Sequence, residues 1–184
     1  MSASKTRDNP AVRQYFVSVN SEDAKWRTLV DLIQALGSER PPSIVIVCCG
    51  RDTLDKVCGL RQSIPFCQLW LLHSDLSESE TATTIKAFCS SPARPDGPRI
   101  LAATDASLGG VHGPPMDPSL RIDLDPPASR AALQRRVQAV HGGRLGAAVS
   151  LIAGPAEAQA VEALTGHPLL PMPLIAREVL RPGR

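Results

Sequence analysis

The sequence has no hydrophobic stretch long enough to cross a membrane and no cysteine pattern typical of a metal site. No apolar run approaches the roughly 18–20 residues of a membrane-spanning helix, and the start, MSASKTRDN, lacks the apolar core of a signal peptide. The five cysteines form no C-x-x-C pair and have no histidine at zinc-ligand spacing. An odd cysteine count without a disulfide framework is typical of a reducing compartment. We therefore expect an intracellular protein, cytoplasmic or nuclear, that binds no metal.

Two signatures of nucleotide chemistry are also missing. The chain has no G-x-x-x-x-G-K-[ST] loop to hold nucleotide phosphates, and no D-E-A-D or comparable acidic cluster to hold Mg²⁺. His73, Ser74 and Asp75 do not suggest a catalytic triad, because three adjacent side chains of a loop point in different directions. We assign no catalytic residue and expect no ATP hydrolysis by this chain alone.

The composition that is present is typical of one globular domain. The chain has 184 residues, of which 43% are hydrophobic and 21% are charged, enough for a single core. The net charge of +2 creates no strong overall attraction for nucleic acid. Arginine supplies 16 of the 20 cationic side chains, and no lysine follows Lys86. Arginine suits phosphate contacts, but a GC-rich coding sequence explains the bias equally well.

Strand-like and helix-like segments alternate along the chain. Continuous apolar runs such as SIVIVC and CQLWLL predict strands buried on both faces, and the S-x-x-E at Ser77 predicts a capping box at a helix start. We predict strands at 14–19, 43–48, 67–72, 99–103, 120–124 and 147–152, and helices at 23–36, about ten residues from 53, 77–89, 129–140 and 155–164. This alternation predicts an α/β fold with an open, mostly parallel sheet and helices on both faces.

Three segments make up the predicted domain organisation. We expect a flexible N-terminus at 1–11, one folded domain at 12–165 and a Pro-rich tail at 166–184. The tail contains apolar residues, so we expect it to dock on the domain: Leu174, Ile175, Val179 and Leu180.

Polar loops follow several of the predicted strands. They are Cys49-Gly50-Arg51-Asp52, His73-Ser74-Asp75 and Thr104-Asp105. Because ligands bind outside the carboxyl ends of the strands in an open α/β sheet, these loops predict a site. Backbone amides at a strand–helix junction can bind an anion, and Arg51 could neutralise a phosphate. An ordinary loop with a solvated arginine remains the alternative.

These segments resemble, in order, the motifs of the second RecA-like lobe of DEAD-box RNA helicases. The resemblance runs from about residue 12 to 152 through the lead-in VRQYFVSVNSEDAKWRTLVDLIQAL, the fourth motif SIVIVCCGRD, the H-G-D-x-x-Q-x-x-R element LHSDLSESE, the fifth motif RILAATDASLGGVHG and the sixth HGGRLGAAVSLI. It implies a RecA-like helicase C-terminal domain. In that family this lobe grips the RNA backbone and adds arginines to an ATP site shared with a first lobe.

The resemblance implies two groups of site residues. The residues implied to contact the RNA backbone are Cys49, Gly50, Arg51, Ser74, Thr104 and Asp105. Within this group Thr104 would bond a phosphate and Asp105 would order the loop. The residues implied to contact the nucleotide are Gly110, His112, His141 and Arg144. No cofactor is expected for the chain alone, because ATP would require a first RecA-like lobe.

Several positions depart from the family motifs. Ser74 replaces a glycine, Gly109 an arginine, His112 an aspartate and His141 one of the finger arginines. These changes favour a degenerate domain that binds RNA, protein or both in an RNA-processing or translation assembly. A functional second lobe of an ATP-dependent RNA helicase and an unrelated α/β enzyme with its site at the strand edge are the alternatives.

Overall fold

A seven-stranded parallel sheet lies between two layers of helices in the computed structural model. The structure describes residues 12–36, 41–92, 94–95, 97–142, 144 and 146–180. The strands are β1 (Val12–Val19), β2 (Ser43–Cys48), β3 (Gln68–Leu72), β4 (Arg99–Thr104), β5 (Leu120–Asp123), β6 (Gly146–Ala153) and β7 (Leu170–Pro171). Their order in the sheet is β3-β4-β2-β5-β6-β1-β7, and every pairing is parallel. The predicted fold class is confirmed.

Helices cover both faces of the sheet. They are α1 (Glu22–Leu36), α2 (Arg51–Val57), α3 (Leu60–Ser63), α4 (Glu78–Ser90), α5 (Asp105–Leu108), α6 (Arg130–Val140), α7 (Pro155–Thr165) and a 3₁₀ helix (Ala176–Leu180). The first three helices and the 3₁₀ helix pack on one face, and α4 to α7 pack on the other. Within the described residues no helix has the length and apolar character to cross a bilayer.

The predicted elements agree with the structure to within about two residues, and local chemistry explains the agreement. The capping box at Ser77 is confirmed, because the Ser77 hydroxyl accepts from the Glu80 amide and the Glu80 carboxylate accepts from the Ser77 amide at 2.8 Å. The helix predicted near residue 53 is wrong in length, since α2 ends at Val57 and the short α3 follows. Three short elements, α5, β7 and the 3₁₀ helix, were not predicted.

Strand β2 lies at the centre of the core. Its residues from Ile44 to Cys48 have no exposed surface, as its unbroken apolar run predicts. Side chains alternate along the strand, so Ile44 and Ile46 pack under α1 and α2 while Val45 and Val47 pack under α4 and α6. The loops at the end of β2 therefore stand on the most buried strand of the sheet.

The tail packs on the domain in part. Leu170–Pro171 adds β7 to the sheet beside β1, and Val179 is fully buried against α1. The Arg13 guanidinium donates to the Val179 carbonyl at 3.0 Å. Leu174 and Ile175, in contrast, stay exposed. The flexible segment predicted at 1–11 lies outside the described residues, and the domain boundary at 165 stays a prediction.

Strand β5 buries charge. Its alternation places Leu120 and Ile122 under α1, while Arg121 and Asp123 face α6 with almost no exposed surface. The Arg121 guanidinium donates to the Asp123 carboxylate at 3.0 Å. A buried ion pair needs further partners to offset the loss of hydration, and α6 provides one for Asp123.

Candidate nucleic-acid interface

The loops after β2, β3 and β4 lie side by side at the carboxyl edge of the sheet, as predicted. Cys48 at the end of β2 is level with Thr104 at the end of β4, and Leu72 of β3 is level with Ala103. The Arg51 guanidinium reaches from the first loop to the carboxylate of Asp75 in the second, at 2.8 Å. The tertiary structure therefore brings together the three loops for which a site is predicted.

Thr104 is the N-cap of α5. Its hydroxyl accepts a hydrogen bond from the Ser107 amide at 3.2 Å, and the Ser107 hydroxyl lies 3.1 Å from the Thr104 amide. Only 5% of Thr104 is exposed. A phosphate at this loop would therefore meet the start of α5 first and reach the Thr104 hydroxyl only through a rearrangement of the cap.

Arg136 of α6 joins the ends of β4 and β5. Its Nε and Nη2 donate to the two carboxylate oxygens of Asp105, each at 2.7 Å. Its Nη1 donates to the Asp125 carbonyl at 2.8 Å and lies 3.2 Å from the Asp123 carboxylate. Burial acts to lower the pKa of this guanidinium, but the carboxylates of Asp123 and Asp105 outweigh it and raise the pKa above its ordinary value. Arg136 is therefore a permanent buried cation.

The same cluster extends to the loop after β2. The Cys49 amide donates to the Asp125 carboxylate at 2.9 Å, and the Cys49 thiol donates to the Pro126 carbonyl at 3.3 Å. Burial and the nearby Asp125 carboxylate raise the pKa of the Cys49 thiol, so it stays protonated at neutral pH. Cys49 thus acts here as a hydrogen-bond donor, and Arg136 and Asp125 together hold three strand ends in place.

The sequence analysis missed Arg136, although a signal for it was present. In α6 the buried positions are Ala132, Arg136, Ala139 and Val140, spaced as on one helix face. An arginine on the apolar face of a helix needs buried carboxylates as partners. Asp123, the acidic residue that ends the short strand LRID, is the matching signal in β5.

Arg51 is exposed but already paired. Besides Asp75, its guanidinium contacts Asp55 one turn later at 3.1 Å. The groove beside it, of about 550 Å³, is lined by more acidic than basic side chains: Glu22, Lys25, Arg51, Asp52, Asp125 and Glu157. Lys25 itself is buried and paired to Glu22 at 3.0 Å and Glu157 at 3.1 Å. Phosphate at this end would have to compete with carboxylates for Arg51.

A second, smaller cleft brings members of the two predicted groups together. Ser74, from the RNA group, and Gly110 and His112, from the nucleotide group, line a cleft of about 270 Å³ with His73 and Ser107. Gly110 and His112 are both exposed. The cleft opens between the loop after β3 and the start of α5, so its ligand would contact both loops.

His141 does not face this cleft. Its ring is completely buried at the C-cap of α6 and packs so closely on Gly146 that a Cβ there would overlap it. Burial, with the nearby Arg121 charge, lowers the pKa of His141 to about 4. The prediction that His141 contacts a nucleotide is therefore corrected, because the imidazole is neutral and enclosed by the core.

Arg144 lies at the opposite edge of the sheet. It precedes β6, and its guanidinium pairs with Asp117, which precedes β5, at 2.7 Å. The 11 residues of α6 separate it from the carboxyl edge by about 16 Å. The four predicted nucleotide contacts therefore do not share one surface, and the residues present do not fit a nucleotide bound to this chain alone.

Comparison with known proteins agrees with the motifs. No family model matches the chain. The chain is 30% identical over 135 residues to an ATP-dependent RNA helicase eIF4A of Lodderomyces elongisporus. The aligned region covers 73% of this chain and 31% of that protein. The chain thus spans about a third of the length of the curated relatives it matches.

Solved structures with the same fold include DEAD-box proteins. The C-terminal domain of Dbp5 has a TM-score of 0.71 at 21% identity, covering 89% of this chain and 91% of that one. E. coli SrmB bound to the regulator RraA has a TM-score of 0.68 at 19% identity, covering 94% and 95%. S. cerevisiae Dbp5 bound to RNA and ADP BeF₃ has a TM-score of 0.70 at 19% identity, covering 96% and 48%.

The strand order, the order of the motifs, the sequence similarity and the structural similarity all point to the same kind of lobe. They also favour the helicase-like hypotheses over an unrelated α/β enzyme. The protein has the fold of the C-terminal RecA-like lobe of DEAD-box RNA helicases and resembles that lobe in sequence.

Proposed function

We propose that this protein is a degenerate helicase-like C-terminal domain that binds the RNA backbone, and protein partners with it, and does not hydrolyse ATP alone. RNA would lie along the carboxyl edge, against the loops after β2, β3 and β4. The observation that carries the proposal is the buried Arg136 cluster, which holds this edge in one arrangement while the nucleotide-facing positions are dispersed.

The departures from the family motifs support the loss of ATP chemistry. Gly109 offers no side chain, His141 is enclosed by the core, and Arg144 is paired at the other edge of the sheet. Phosphoryl transfer needs phosphate positioning, a metal and charge stabilisation together. The described residues supply at most the last of these, so ATP chemistry would require a first RecA-like lobe.

The related proteins support RNA and protein as the partners of this domain. The relatives include a eukaryotic initiation factor 4A from Dictyostelium discoideum. One structural neighbour is bound to RNA, and another is bound to a protein regulator. An RNA-processing or translation assembly is the setting that these similarities support.

RNA binding can be tested at Arg51, the exposed cation of the edge. We expect Arg51→Ala to weaken the binding of a 20-nucleotide poly(U) RNA. It should weaken the binding of RNAs of other sequences by the same factor, because a backbone contact does not select bases. The slope of log affinity against log salt should fall in magnitude by about 0.7, one released counterion. Fluorescence anisotropy of labelled RNA across a salt series measures both quantities.

Lys86→Ala provides the matched control, because Lys86 is an exposed cation in the second half of α4, away from this edge. It should leave the affinity and the salt slope unchanged. RNA binding that is absent in the wild-type protein, or a slope equally reduced in both variants, would contradict the proposed RNA contact.

A functional second lobe that completes a composite ATP site is the second candidate. The observation in its favour is that Arg144, although it lies at the other edge of the sheet, keeps 61% of its side chain exposed to a neighbouring lobe. We expect that a DEAD-box first lobe added in trans hydrolyses ATP no faster with this protein than without it. Stimulation that is lost in Arg144→Ala, but kept in the control Arg94→Ala, would establish the composite site instead.

A further inference from the structure

The groove between α6 and α7 differs in charge from the groove beside Arg51. It has a volume of about 800 Å³ and is lined by two arginines, Arg130 and Arg135, with no acidic side chain among the described lining residues. The groove beside Arg51, in contrast, is lined by four carboxylates. A surface of one sign attracts an occupant of the other sign.

The two arginines of this groove are also free of ion pairs within the part of the chain that the structure describes. Arg51, Arg136 and Arg144 each contact at least one carboxylate. No carboxylate of the described residues lies within ion-pair distance of Arg130 or Arg135, and both arginines are exposed. An anion that binds here therefore has no internal carboxylate to displace.

Aliphatic side chains also line the groove. Leu133 and Val137, one helical turn apart on α6, face Leu164 near the end of α7, and all three are partly exposed. No aromatic side chain is among the described lining residues, so the groove offers no platform on which bases could stack. Apolar side chains between two cations favour a peptide with both carboxylates and aliphatic side chains over RNA.

We propose that the α6–α7 groove docks an acidic amphipathic helix of a protein partner. Its aliphatic side chains would cover Leu133, Val137 and Leu164, and its carboxylates would pair with Arg130 and Arg135. No residue of the predicted RNA group lines this surface, although α6 begins at the same edge of the sheet. The inference extends the proposed function by assigning the protein-binding role to a defined surface.

Selection from a pool of random 16-residue peptides displayed on phage tests this surface. Binders of the wild-type protein should carry more acidic than basic residues, with aliphatic residues four positions apart. Synthetic copies should lose on the order of tenfold in affinity for the double variant Arg130→Glu, Arg135→Glu, because the rim charges are reversed. Leu133→Ala should weaken them as well, and the control Lys86→Glu should not.

Other outcomes overturn the proposal. Selected peptides without an acidic excess, or with equal affinity for the double variant, would mean that the groove is not their site. If poly(U) rather than peptide binding falls in the double variant, the groove belongs to RNA. The milder pair Arg130→Gln, Arg135→Gln repeats the test if charge reversal disturbs folding, as circular dichroism would reveal. The Arg51→Ala experiment measures RNA binding at the edge independently, so the two proposals fail separately.

Discussion

Arg136→Met is expected to lower the free energy of unfolding by about 3–5 kcal/mol, the cost of leaving buried carboxylates without their cation. Methionine matches the length of the arginine stem, but it cannot bond both oxygens of Asp105 or the Asp125 carbonyl. The buried Asp123 and the mostly buried Asp105, whose side chain is 13% exposed, would then have less compensation for their charge. Urea denaturation followed by circular dichroism measures the loss.

The neighbouring Arg135 provides the matched control. It is exposed, so Arg135→Met should change stability by less than about 0.5 kcal/mol. In the double variant Arg136→Met, Asp105→Asn, part of the lost stability should return, because one uncompensated charge is removed. Equal stability of the two single variants would show that the Arg136 cluster does not hold the strand ends together.

Protonation of His141 is expected to cost about 3 kcal/mol of stability between pH 6.5 and pH 4. The pKa of His141 in the folded protein is about 4, against an ordinary value of 6.5. In this window the unfolded chain binds a proton on His141 and the folded protein does not. The unfolding free energy therefore falls as the pH falls, by about 1.4 kcal/mol per unit.

The variant His141→Leu removes this proton linkage. Its unfolding free energy should depend less steeply on pH over the same window, whatever its stability at pH 7. His112→Leu, at an exposed histidine, is the control and should keep the wild-type dependence. Carboxylates that titrate near pH 4 affect all three proteins alike. Parallel pH profiles for wild type and His141→Leu would contradict a neutral, buried imidazole.

Most of the secondary structure could be predicted because local signals for it are strong. The all-apolar SIVIVC run predicts a strand covered on both faces, and the Ser77 capping box predicts the start of α4. Elements of two or four residues, such as β7 and α5, carry no periodicity of their own. They form where the surrounding structure offers partners.

For the candidate site, the topology predicts which loops meet but not which side chains are exposed. Loops that follow neighbouring parallel strands must meet at one edge, so Arg51, Ser74 and Thr104 were placed together correctly. Matching to family motifs does not tell whether a side chain is exposed. His141 stands at a motif position in the sequence, yet the packing of α6 on β6 encloses it.

Residue type and spacing along the chain were enough to predict the succession of strands and helices, the resemblance to a helicase lobe and the departures from its motifs, because these are local properties. Which charges are paired depends on the packed fold. Arg51, Arg136 and Arg144 find carboxylates that are distant in sequence, while Arg130 and Arg135 remain without one among the described residues. The reason is physical: an ion pair depends on distances of a few ångströms, which only the packed chain sets.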